Sequence, residues 1–262
     1  MRPRGRAAVG LALELGVPVA AVAAWWIWST RAGSFYFPPL PDILDAFRRD
    51  WLFSRVDSDL LPSLRRLAIG YVIAIVLGVG AGTVLGLSPA VGRATAPLVN
   101  FLRSIPPPAL IPFGIVVIGV GDSAKIFLIA FVCLWPILLN TIDGVAGIEP
   151  TVLDTARSYR LTPTERLLRV ALPAASPQIS AGLRTSLSLA IIMMVISEMV
   201  ASENGVGYFI VEAQRTFAIP EMWAGMIMLG ILGYALNLAY ALLERRLLRW
   251  HRGARARAGE EA

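Results

Sequence analysis

Lysine is almost absent from this 262-residue chain: of its 24 basic residues, all but Lys125 are arginine. A phosphate-cradling nucleotide loop needs Gly-Lys-Ser/Thr, and that triplet occurs nowhere. The chain therefore does not hydrolyse nucleotides through such a loop. The single cysteine, Cys133, lies in an apolar run; it forms no intrachain disulfide and reads as packing. The single histidine, His251, sits in a basic tail. One Cys and one His leave almost no material for a zinc site or a Ser-His or Cys-His pair, so no catalytic, metal or cofactor site is expected. Charge is scarce as well, at 16% against 56% hydrophobic residues, and mean hydropathy is +0.65. Soluble domains are about half apolar, so the composition reads as a membrane protein. The net charge of +6 is explained by the sidedness of membrane loops and not by nucleic acid.

What the chain does have is a series of apolar runs. Ala7–Trp28 follows Arg2, Arg4 and Arg6 and ends on Trp25, Trp26 and Trp28. That length and aromatic end favour a retained span over a cleaved signal peptide, although Ala21-Val22-Ala23 resembles a cleavage site. Further spans are expected at Leu67–Leu87, Ala109–Val120, Ile126–Ile142, Ile179–Val200 and Met222–Leu243. After the first, Pro38-Pro39-Leu40-Pro41 breaks the chain. Ile43, Leu44, Phe47 and Trp51 then mark an amphipathic helix, lying on the membrane or packed against the spans. Gly70, Gly78, Gly82 and Gly86 line one stripe of the second span, a face for close helix packing. A turn is expected around Ser88–Arg93. The run Arg103-Ser104-Ile105-Pro106-Pro107-Pro108 cannot continue a helix and must bend, either buried in protein or facing water. Pro136 is expected to bend or displace the fourth span, and Ser202–Gly207 reads as a polar turn leading to the last one.

The longest polar interval of the second half is Glu149–Pro173. Pro150 can open a helix, with Val152, Leu153, Ala156 and Tyr159 on one face. Thr162-Pro163-Thr164-Glu165 reads as a capping box opening a second helix, with Leu167, Leu168 and Leu172 as its apolar stripe and Pro173 as its stop. With Arg157, Arg160, Arg166 and Arg169, this helix-turn-helix suits docking on a soluble partner; an ordinary basic loop is the alternative.

The order Asp154-Thr155-Ala156, three residues, Arg160, nine residues, Val170-Ala171-Leu172-Pro173 resembles the cytoplasmic loop of ABC importer permeases, Glu-Ala-Ala, three residues, Gly, nine residues, Ile-x-Leu-Pro. Thr155, Arg160 and Val170 depart from that pattern. Because Arg does not easily take positive φ, the turn is expected to form elsewhere, through Leu161-Thr162. Other stretches are similar to the nitrate, sulfonate and taurine branch over residues 40 to 250. They are Ser63-Leu64-Arg65-Arg66, Arg103-Ser104-Ile105-Pro106-Pro107, Ala109-Leu110-Ile111-Pro112, Gly119-Val120-Gly121, Ser123-Ala124-Lys125-Ile126, Gly182-Leu183-Arg184, Ser197-Glu198-Met199 and Gly205-Val206-Gly207.

The resemblance implies an all-α membrane fold of the type I ABC importer kind, six transmembrane helices with a five-helix core plus the N-terminal helix. It implies a permease for a small anion such as a sulfonate, taurine or nitrate, working with an ABC ATPase subunit, an external or periplasmic substrate-binding protein and a second permease copy. Asp154, Ala156, Tyr159, Arg160, Leu161, Leu172 and Pro173 are expected to form the ATPase-coupling loop, with Ala156 on the face turned to the ATPase. Glu198, Pro107, Gly205 and Gly207 are expected at the pathway or gate. Residues 1–66 then form the N-terminal helix and external connection, 67–248 the permease core containing loop 149–173, and 249–262 a basic tail.

The arginine-rich loops favour both termini in the cytoplasm, and the resemblance implies a multi-pass protein of the bacterial inner membrane. The first outer loop runs against this, though Asp42, Asp45 and Asp50 sit among its arginines. A self-contained secondary transporter or channel is the alternative, but ionisable residues deep in the spans are few: Glu14, Asp143, Arg184 and Glu198. On one helix Arg184 and Glu198 stand about 21 Å apart, towards opposite surfaces. Glu198 is expected to pair with a cation or to accept hydrogen bonds from Gly205–Gly207.

Overall fold

The computed structural model describes the backbone of residues 3–200 and 202–249, and side chains from residue 16 onward except at residue 32. The basic tail, apart from Arg249, and the side chains of Arg2, Arg4, Arg6 and Glu14 lie outside the described residues.

All regular structure among the described residues is helical. Helix α1 (Pro3–Ala32) is followed by α2 (Leu40–Arg49), and two π turns, Asp50–Ser54 and Val56–Leu60, lead into α3 (Leu61–Leu87). Then come α4 (Pro89–Arg103), a 3-10 turn at Pro107–Ala109, α5 (Leu110–Ile118) and α6 (Asp122–Ala146). The loop holds α7 (Pro150–Ser158), α8 (Pro163–Arg166) and a π turn at Leu167–Ala171, and α9 (Leu172–Val200), α10 (Val206–Arg215) and α11 (Ile219–Leu247) complete the chain. Four stretches among the described residues are long and apolar enough to cross a membrane: Val56–Leu87, Asp122–Ala146, Pro163–Val200 and Ile219–Leu247. Helix α4 with Pro107–Ile118 makes a fifth if that pair, bent by 75°, is one crossing.

The expectation of a span at Ala109–Val120 is overturned. Helix α5 has nine residues and rises about 14 Å, under half of a hydrocarbon core of about 30 Å. Pro106 is held extended at ψ 122 before it, and Gly119 at φ 99 ends it. The missing length lies in α4, which begins at Pro89 inside the expected turn. Helix α10 also went unread, although Val206, Phe209, Ile210 and Ala213 repeat at helical spacing and are all buried. Helix α6 continues through Pro136.

The glycine stripe of α3 is a contact within the chain. A Cβ on Gly70, Gly78, Gly82 or Gly86 would lie within 2.6–2.9 Å of Ile129, Ile137, Thr141 or Val145 of α6. Both series ascend together, so α3 and α6 run parallel in fixed register, backbone close to backbone. In lipid this contact gains dispersion energy and not the release of water. Helix α9 packs antiparallel on α6, with Gly182 against Asn140 and Gly144 against Gln178. The core gathers Leu67, Ala74, Ile129, Cys133, Ile137, Met193 and Met194.

Helix α2 packs against the spans. Ala46 and Trp51 join Val206, Phe209, Ala224 and Met228, and Trp51 meets Phe209 edge-on at 5.0 Å. Ile43 is buried while Leu44 is exposed. The aromatic end of α1 packs on the start of α11, Trp25 against Trp223 at 5.4 Å. The α6–α9 connection and the end of α11 thus share one end of the bundle; Glu198 and the start of α6 mark the other.

Candidate functional sites at the two ends of the bundle

At the loop end, Pro150 occupies the first turn of α7, where its missing N–H costs nothing. The helix closes with two paired bonds. Leu161 N–H donates to Ala156 O at 3.2 Å and Arg160 N–H to Arg157 O at 2.8 Å, with Arg160 at φ 54. The turn is therefore not displaced to Leu161-Thr162: Arg160 itself takes the left-handed backbone that glycine prefers, at a cost of about 1–2 kcal/mol. Next, Thr162 N–H donates to Glu165 Oε2 at 3.0 Å and Glu165 N–H to Thr162 Oγ1 at 3.3 Å, a complete capping box.

Pro173 does not stop the second helix, which continues into α9. In the preceding π turn Leu172 N–H reaches back to Leu167 O. The wider turn admits the proline ring, which would clash inside a regular helix.

Of the residues assigned to this loop, Asp154, Tyr159 and Arg160 are exposed, Tyr159 at 78%. Leu161, Leu172 and Pro173 are half-buried. Ala156 is 4% exposed, and its burial is against its own chain, where α7 meets the π turn. The face free for a partner is therefore the one carrying Tyr159, Arg160 and the Arg157–Asp154 pair at 2.7 Å.

At the other end, Glu198 is fully buried near the end of α9. Its carboxylate accepts from Ser63 Oγ at 2.7 Å, from Arg66 Nη1 at 2.9 Å and from Gly207 N–H at 3.1 Å. Both partners expected from the sequence, a cation and the glycine turn, are present together. Arg66 also donates to Asp122 Oδ1 at 2.7 Å, to Asn204 O at 3.2 Å and to Asn204 Oδ1. Gly205 N–H donates to the buried Asp59 at 2.9 Å, and Val206 N–H to Ser63 Oγ at 3.0 Å. Gly205 stands at φ 118, and a Cβ there would meet Glu198 Cδ at 2.5 Å; one on Gly207 would meet Val195 O at 2.5 Å. No other residue fits either place.

Chemically this is a clasp. Two buried carboxylates and one guanidinium bind the 202–207 turn to α3 and α6, and charges removed from water persist only when so fully bonded. Ser63, Arg66 and Asp59, which complete it, were not singled out as site residues in the sequence. The structure does not bring Pro107 to this group. Pro107 shares a cavity with Trp135, halfway along α6 and about 20 Å from Asp122 along that helix.

Residues 74–252 match the family described as the binding-protein-dependent transport system inner membrane component. The bicarbonate transport system permease protein CmpB of Synechococcus elongatus is 31% identical, with 92% of this chain and 90% of that protein covered. The putative aliphatic sulfonates transport permease protein SsuC of Bacillus subtilis is 29% identical, with 94% and 90% covered. Among solved structures, an inward-facing MetNI methionine ABC transporter superposes with a TM-score of 0.64 at 20% identity, covering 72% of this chain and 94% of that one. That likeness fixes the fold as the type I importer kind. With an all-helical bundle, no nucleotide loop and a matched span of this length, the chain belongs to the binding-protein-dependent transport system inner membrane component family and is a permease subunit of an ABC importer.

Proposed function

We propose that this permease imports a small anion, a sulfonate, taurine, nitrate or similar, handed over by an external binding protein and driven by a separate ATPase that docks on residues 149–173. The observation that carries the reading is the loop: two capped helices joined by a tight turn that presents Tyr159, Arg160 and an exposed ion pair. The names of the sulfonate and bicarbonate relatives support an anionic cargo. The subunit itself is not an enzyme in this reading; hydrolysis belongs to the partner.

The assembly holds two permease copies, each with six spans counting α1 and the bent α4–α5 pair, and with both termini in the cytoplasm of the bacterial inner membrane. Residues 67–248 act as the core and residues 1–66 flank it. The glycine stripe contributes nothing to the contact between copies, because α6 already fills it. The Glu198 clasp, with Gly205 and Gly207, shapes the outer gate.

Co-expression with a cognate ABC ATPase and substrate-binding protein, in cells lacking their own sulfonate and nitrate uptake, tests the reading. Labelled taurine, nitrate or alkanesulfonate should accumulate only when all three components are present. Accumulation without the ATPase, or of none of these anions, overturns it.

A further inference from the structure

A half-open cavity of 240 Å³ lies between the break of the α4–α5 segment and the middle of α6 and α9, with Arg103 exposed at its edge. Its walls include Phe131, Leu139 and Leu189, with Pro107 at the break. Two donors border it, Arg103 at the end of α4 and Trp135 on α6, and no carboxylate does. Arg103 spends its Nε on Asn100 Oδ1 at 2.9 Å, and no ion pair engages its guanidinium among the described residues. Trp135 Nε1 is covered by the chain and has no acceptor among the described residues, so a head group reaches it when the indole turns toward the cavity. An orphaned donor, a guanidinium with free N–H groups and apolar walls form a set that lacks an acceptor. Irregular backbone at mid-membrane depth is tolerated where it lines such a cavity, and ionisable groups there face it.

We propose that this cavity is an anion subsite inside the permease, which takes the head group of a short alkanesulfonate at Arg103 and Trp135 and its carbon chain against Phe131, Leu139 and Leu189. The inference rests on the anion reading above and adds a place where the permease itself contacts cargo. A cation finds no acceptor side chain there. A bare oxyanion such as nitrate leaves the apolar wall unused and binds more weakly. The charge-dipole alternative, in which Arg103 merely faces the carbonyl end of α4, requires nothing of Trp135.

The test uses the full chain in phosphatidylcholine nanodiscs, titrated with 1-butanesulfonate, nitrate or butyltrimethylammonium and read by isothermal titration calorimetry, with the indole emission of the parent protein followed in parallel. Butanesulfonate should give saturable binding, nitrate a weaker response and the cation none. Trp135→Phe keeps the ring but removes the donor, and it and Arg103→Gln should each weaken butanesulfonate binding about tenfold, the scale of one hydrogen bond to a charged group. Trp26→Phe, distant and exposed, should bind as the parent does. Arg103→Lys should recover only part of the loss, because an ammonium lacks the planar fork.

Saturable binding that is indifferent to both Trp135→Phe and Arg103→Gln overturns the proposal, as does full recovery by Arg103→Lys with Trp135→Phe silent. So does an emission change produced by phosphatidylglycerol discs alone with no response to butanesulfonate in neutral lipid, which would assign the cavity to a lipid head group. Absence of binding by a parent protein that still supports anion uptake in cells defeats this subsite and leaves the proposed function standing. Absence of anion uptake defeats both.

Discussion

Arg66 and Glu198, 132 residues apart in sequence, form an ion pair at 2.9 Å in which the arginine side chain is 3% exposed and the carboxylate not at all. Removing one partner of such a pair strands the other away from water, at about 3–5 kcal/mol. Glu198→Ala should therefore lower the thermal stability of the purified protein severely. Glu198→Gln keeps one carbonyl oxygen to accept from Gly207 and an NH2 that donates to Ser63 Oγ, and Asp122 still holds Arg66, so its loss should be clearly smaller. Transport should fall in the same order with substrate preference unchanged. A Glu198→Gln protein of normal stability that carries different substrates would show that the carboxylate lines the pathway instead.

The α3–α6 contact yields a paired prediction. A Cβ on Gly82 would sit 2.6 Å from Thr141 Cβ and 2.9 Å from Leu138 O, so Gly82→Ala must push the helices apart, at about 1–3 kcal/mol. Gly80 lies on the same helix with nothing within 4 Å. Gly80→Ala should be neutral or stabilising by up to about 1 kcal/mol from helix propensity. Equal melting temperatures for the two variants would contradict the register described above.

Arg160 supplies a third prediction. Arg160→Gly relieves the left-handed strain but loosens the unfolded chain, so stability should be unchanged or rise by less than about 1 kcal/mol. A β-branched side chain is least tolerant of positive φ. Arg160→Val should open the turn and reduce substrate-stimulated ATP hydrolysis by the assembled complex while membrane insertion stays normal. Normal coupling in Arg160→Val would mean that this turn is not what the ATPase grips.

Sidedness can be checked with cysteines at two exposed positions, Ser158 and Glu203, in a Cys133→Ser background. A membrane-impermeant maleimide applied to intact cells should label Glu203→Cys. Ser158→Cys should react only after permeabilisation. The reverse pattern would invert the proposed topology.

Legibility in the sequence followed the range of the interactions. The capping box at Thr162–Glu165, the helix opened by Pro150 and the glycine stripe rest on residues within a turn or two, and their spacing identifies them. Which helix meets the glycines is not local, and the pairing with Ile129, Ile137, Thr141 and Val145 appears only in the fold. The Glu198 clasp was half legible. Gly205–Gly207 is nine residues or fewer away, whereas Ser63 and Arg66 arrive from another helix. Arg160 misled because propensity disfavours its φ, and the two bonds closing α7 prevail over that preference. The third span misled because α4 carries Pro89, Gly92 and Pro97, which dilute its apolar signal.

The notched contact between α3 and α6 has a mechanical consequence. Ile129, Ile137, Thr141 and Val145 sit in the four gaps left by glycine, like teeth in a rack, so the two helices cannot creep along one another. Any slip would have to climb a full turn, about 5.4 Å, with every tooth leaving its gap at once. The pair therefore travels as a single strut when the transporter cycles. The strokes that open and close it are then expected where the backbone is already interrupted: at the proline break between α4 and α5, and at the π turn where loop 149–173 runs into α9.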